Sequence, residues 1–138
     1  MSFEFPFEYV ILPDIGKLFY PIVHIELQTK IGWQPFEFLV DTGADVTTLP
    51  LHLLPAIGIN TSDLSVGQAL GVGNISIKTL EFMLPIRIGS IQLQVRASAV
   101  ESRYDSVPLL LGRKDIFEEK FNLLIDSHRK VTVISQNS

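Results

Sequence analysis

From Ile91 to Ala99 the chain alternates apolar and polar side chains at every step, and this period of two limits the fold more than any other feature. Such alternation belongs to a strand with one face buried and one wet. Val23, Ile25 and Leu27 repeat it against His24, Glu26 and Gln28; so do Leu84, Ile86 and Ile88 against Pro85 and Arg87, and Val131 and Val133 around Thr132. Turn-forming residues fall between the runs, at Pro13 to Gly16, Lys30 to Gly32, Gly71 to Asn74 and Gly89-Ser90. Short strands at regular spacing predict a mostly β sandwich or barrel. Two stretches break the period. Leu51 to Ile57 reads as a short helix curtailed by Pro55. Arg113 to Phe121 reads as a helix, with Ile116/Lys120 and Phe117/Phe121 four apart. Trp33, the only tryptophan, falls beside Gly32 in an expected turn.

Composition narrows the possible functions. At 138 residues the chain is about one domain, large enough for a core without staples. No linker or low-complexity tract divides it. There is no cysteine, which removes disulfides, thiolate metal sites and cysteine nucleophiles. Eleven basic against 15 acidic residues leave a net charge of −4, so nucleic acid and anionic membranes are not expected partners. The longest apolar run, Tyr9 to Leu12, is far short of the ~20 residues of a spanning helix. The N-terminus has neither a basic stretch nor a continuous apolar one, so a cytoplasmic location is expected.

Chemistry concentrates where the apolar strand Phe36 to Val40 runs into Asp41-Thr42-Gly43-Ala44-Asp45. A carboxylate at the end of a buried strand is costly unless hydrogen-bond donors surround it. Gly43 lets the backbone turn and aim amides at that carboxylate. Taken alone, the triplet is also good turn chemistry.

The segment resembles the active-site motif of retropepsin-like aspartic proteases, the family of the retroviral proteases and their cellular and bacterial relatives. Two further pieces follow in the family's order. Ala69 to Ile75, with Gly71-Val72-Gly73, resembles the tip of the flap, a hairpin that closes over bound peptide. Leu109-Leu110-Leu111-Gly112-Arg113-Lys114-Asp115 resembles the segment that enters the family's C-terminal helix. The resemblance covers residues 20–121 most strongly. It implies a single retropepsin-like domain over residues 1–138: a mostly β acid-protease barrel with a flap hairpin and one short C-terminal helix, active as a homodimer.

The resemblance also implies roles. Asp41 would be catalytic, supported by Thr42, whose counterpart hydrogen-bonds across the dimer, and by Gly43. Gly43, Ala44, Asp45, Gly71, Val72 and Gly73 would lie along a polypeptide substrate, and Asp45 would form a bidentate ion pair with Arg113. No metal and no organic cofactor is expected. The flap's underside, with Leu70, Val72, Ile75 and Ile77, favours apolar residues flanking the scissile bond. The mechanism needs two carboxylates sharing one proton, since like charges about 3 Å apart cannot both ionise, the established aspartic-protease case. One Asp-Thr-Gly is present, and Leu110-Leu111-Gly112, at the matching place in the second half, carries no acid. The implied enzyme is therefore a two-fold dimer with one Asp41 from each copy.

Departures and rivals complete the reading. Residues 122–138 extend past the point where retroviral enzymes end, and predict an extra hairpin turning at Asp126 to Arg129. His24, His52 and His128 have no metal spacing, and His24 is expected to be solvated. An actin-like phosphate-binding turn needs a much longer chain, and an EF-hand loop lacks its later ligands. The rival function is a retropepsin-fold module that dimerises or binds peptide without cutting it.

Overall fold

A computed structural model describes residues 1–70, 76–101 and 108–138. Twelve strands follow in chain order: β1 (Ser2–Pro6), β2 (Glu8–Leu12), β3 (Gly16–Tyr20), β4 (Ile22–Thr29), β5 (Gly32–Val40), β6 (Thr47–Pro50), β7 (Ser65–Leu70), β8 (Ser76–Ile88), β9 (Ile91–Val100), β10 (Leu109–Leu111), β11 (Phe121–Asp126) and β12 (Val131–Gln136). Seven form one sheet in the order β4-β5-β10-β6-β9-β8-β7. A further pairing, Glu26 with Arg87 and Leu27 with Ile86, joins β4 to β8 and closes six of them into a barrel. Among the described residues the fold is mostly β, with one short helix, the 3-10 helix Leu51–Ile57, and a single 3-10 turn at Thr61–Asp63.

The alternating residues line the barrel interior. Val23, Ile25, Leu27, Leu84, Ile86, Ile88, Leu93, Val95 and Ala97 are buried, joined by Phe38, Leu49 and Leu111. Each large side chain so buried contributes about 1.5–3 kcal/mol. The helix Leu51–Ile57 caps this core with Leu54 and Ile57, and Gly58, at φ 74°, ends it. Pro55 sits inside it without breaking it.

β7 and β8 form the hairpin that stands in the flap's place. β8 pairs with β9 over Thr79–Ile88, whereas Ser76 to Lys78 pair with β7. The hairpin therefore projects beyond the end of β9. Its expected tip, Gly71, Val72 and Gly73, lies outside the described residues.

Both chain ends join a separate three-stranded sheet, β1-β12-β11, in which β1 and β11 each pair antiparallel with β12. Arg129 at the β11–β12 turn reaches back to Glu4 on β1, 2.7 Å from each carboxylate oxygen. The N-terminal strand is thus held within its own chain. β2 and β3 pair only with each other and carry a stacked Phe7–Phe19 contact at their base.

Two local expectations need correcting. Trp33 is the second residue of β5 rather than a turn residue; the turn closes just before it, where the Thr29 hydroxyl donates to the Gly32 carbonyl at 2.9 Å. The Arg87 guanidinium lies over the Trp33 ring and pairs with Glu26 at 2.8 Å. The segment Arg113 to Phe121 consists of consecutive turns rather than a regular helix. The Arg113 carbonyl accepts from the Phe117 amide and the Ile116 carbonyl from the Lys120 amide. Between them Asp115 takes φ 66°, which interrupts the helical run. Aspartate tolerates that region better than most residues, and in this place its Oδ2 accepts the Arg96 amide at 2.8 Å.

Candidate active site

β5 delivers Asp41 to the end of the barrel. The strand's last residue, Val40, is buried, and its amide donates to the Pro21 carbonyl. One residue on, the Asp41 amide donates to the Leu111 carbonyl at 3.0 Å, extending the parallel β5–β10 ladder by a rung. The chain then turns, with the Ala44 amide on the Asp41 carbonyl at 3.1 Å. The Gly43 amide donates to Asp41 Oδ1 at 3.0 Å. Asp41 is half-buried, and Thr42 and Gly43 are exposed. Among the described residues the carboxylate meets one backbone donor, a milder setting than a closed shell of donors. Gly43 acts here through its size: a Cβ on it would stand 3.2 Å from Asp41 Oδ1.

A second segment clasps this loop from below. The Arg113 amide donates to the Ala44 carbonyl and the Lys114 amide to the Asp45 carbonyl, at 3.1 and 2.9 Å. The Arg113 side chain adds two contacts, Nη2 to Asp45 Oδ1 at 2.6 Å and Nη1 to the Thr42 carbonyl. The pair is thus not the bidentate fork expected. The Asp45 side chain is 89% exposed and meets Arg113 through Oδ1, while the guanidinium's other arm serves the backbone.

Gly112 makes the close approach possible. A Cβ there would fall 2.3 Å from the Val46 carbonyl carbon, so only glycine lets the two backbones meet. Its amide donates to the hydroxyl of Thr47, which is fully buried. Sequence reasoning missed Thr47, since a threonine inside an apolar run gives no sign of which amide it will face.

Above the loop lies a cavity of about 590 Å³. Gly43, Ala44, Asp45 and Val46 form one wall, the flap-like hairpin contributes Gln68, Thr79 and Glu81, and β9 contributes Ser98. Three expected substrate-contacting positions therefore border one cleft, together with polar residues that no motif had singled out. His24 lies near the start of β4, exposed and 3.7 Å from Glu37, its register partner on β5. Glu8, His24 and Glu37 bring ligand-capable atoms within 4.8 Å of one another there, Glu37 lying on the strand that leads into Asp41.

Known proteins include relatives of this chain. Residues 27–115 match the family model described as "gag-polyprotein putative aspartyl protease", which takes in the Asp41 loop, the flap-like hairpin and the Gly112-Arg113 segment. Among solved structures, a retropepsin-like aspartic protease from Rickettsia conorii is similar, at 17% identity and a TM-score of 0.61, over 99% of this chain and 97% of that one. EIAV protease complexed with the inhibitor HBY-793 is similar at 20% identity and a TM-score of 0.53, over 75% of this chain and 88% of that one. Among curated proteins none matches the sequence. With the matched segment spanning well over half the chain, and the mostly β architecture shared with both structures, the protein belongs to the retropepsin-like aspartyl protease family.

Proposed function

We propose that the protein is an aspartic endopeptidase active as a homodimer, in which the Asp41 carboxylates of two copies share a proton and activate one water. The observation that carries this reading is the Asp41 loop: an aspartate at a strand end, one oxygen held by the Gly43 amide, beside exposed Thr42, with the next residues, Gly43 to Val46, lining a cavity. In the sharing arrangement one carboxylate accepts a proton from the water as it attacks the peptide carbonyl. The protonated partner donates to that carbonyl oxygen, and the pair then delivers a proton to the leaving nitrogen. No other acid stands at the matching place on β10, where Leu110 and Leu111 precede Gly112, so the second carboxylate comes from another copy. The exposed Thr42 supports this, being free to meet its twin across a two-fold axis. Gly43, Ala44 and Asp45 would lie along the substrate backbone.

Asp41→Asn is expected to abolish cleavage of a degenerate peptide library while folding and dimerisation persist. Mixing inactive Asp41→Asn protein with wild type should depress activity further than dilution does, because mixed dimers carry one carboxylate. Activity that falls only in proportion to dilution would refute the shared site. The second reading, a peptide-binding module that does not cut, is favoured if wild type retains library peptides and cleaves none.

A further inference from the structure

The cavity over the Asp41 loop is less apolar than a cleft for hydrophobic side chains alone requires. Among the described residues two carboxylates border it, Asp45 and Glu81, and no basic residue does. Their situations differ. Asp45 already has the Arg113 guanidinium at 2.6 Å, whereas Glu81 pairs with no lysine, arginine or histidine among the described residues. Arg96 shares a neighbouring cavity with Glu81 but forms no ion pair with it.

Glu81 is also placed rather than loose. It is half-buried on β8, opposite Ser65 on β7 and Ser98 on β9. A Cβ on Gly67 would stand 2.9 Å from its carboxyl carbon and 2.9 Å from the Thr79 hydroxyl, so both polar groups lie over the bare backbone of that glycine. Thr79, only 3% exposed, lines the cavity. Ser98, 6% exposed, lines it too. A carboxylate with no ion pair among the described residues, flanked in a cavity by the hydroxyl-bearing Thr79 and Ser98, is a receptor for a cationic donor group.

We infer that this cavity is a specificity subsite for a lysine or arginine side chain of the substrate, with the Glu81 carboxylate as its anchor and the Thr79 and Ser98 hydroxyls beside it. The inference rests on the reading above that the cleft takes peptide. It adds a charged requirement to the apolar preference expected from the flap. A two-fold dimer presents the subsite twice, so the preference falls at symmetric positions on the two sides of the scissile bond.

The test follows selection from a degenerate decapeptide library in two ways: sequences retained by Asp41→Asn protein, and sites cut when Asp41 is intact. Lysine and arginine should be enriched about tenfold or more at a fixed position in both, as a charge-assisted contact implies. Glu81→Gln should erase the enrichment, and Glu81→Lys should turn it toward aspartate and glutamate, an inversion that misfolding cannot produce. Retention with the basic signature but no cutting would refute the protease and leave the subsite. Cutting or retention without a basic preference overturns the subsite and leaves the protease. A preference that both Glu81 variants keep, or failure of Asp41→Asn protein to retain any peptide, also overturns it.

Discussion

Arg113 binds Asp45 and, with the other arm of the same guanidinium, the carbonyl of Thr42, so one side chain joins both ends of the loop that follows Asp41. The ion pair itself adds little to stability, because Asp45 is 89% exposed and solvent screens it. Its value lies in position: a planar fork fixes two acceptors at once, which an ammonium does not.

Arg113→Lys is therefore expected to cost at most about 1 kcal/mol in chemical denaturation and to lower peptide cleavage far more than stability. Equal loss of both, measured on the same preparation, would show that the fork has no special part in ordering the loop.

Gly112→Ala should be among the most damaging single changes. The added methyl meets the Val46 carbonyl carbon at 2.3 Å, and backbone on both sides has no room to yield. A loss of about 3 kcal/mol or more is expected in urea unfolding, and a Gly112→Ala protein of wild-type stability would contradict the close packing described.

Thr47→Val keeps the shape of a fully buried residue and removes the oxygen that accepts the Gly112 amide. Leaving that amide unpaired costs about 1–3 kcal/mol. Thr47→Ser restores the hydroxyl and should recover most of the loss. The readout is the denaturation midpoint of the three proteins.

The Glu26–Arg87 pair supplies a prediction for pH. The Glu26 carboxylate hydrogen-bonded to it raises Arg87 above the ordinary arginine value. A raised cation contributes its stability fully below its unfolded pKa and loses it only as pH climbs through the folded one, here beyond the neutral range. The difference in unfolding midpoint between wild type and Glu26→Gln should thus stay level from about pH 7 to about pH 9. A difference that shrinks steadily over that span would place the titration elsewhere.

Legibility in the sequence followed the range of the interactions. The Asp41 to Gly43 contact spans two residues and was readable from the triplet alone. The Asp45–Arg113 partnership spans 68 residues and was readable only through the family's motif, which missed its division between a carboxylate and a carbonyl. Trp33 was misplaced because Gly32 beside it carries the turn. Arg113 to Phe121 has helical spacing, but the left-handed Asp115 follows from a contact with the Arg96 amide, which local spacing does not register.

By itself the sequence determined which faces of the strands turn inward, because side chains alternate along a strand whatever it pairs with, and it determined where a carboxylate would meet a turn. Only the tertiary structure decided that β4 closes on β8, that the first and last strands pair in one sheet, and that Glu81, Thr79 and Ser98 gather above residues 43–46. These depend on which strands become neighbours and in what register. Pairing partners far apart along the chain are chosen by the packing of the whole barrel, and no short stretch of residues carries that choice.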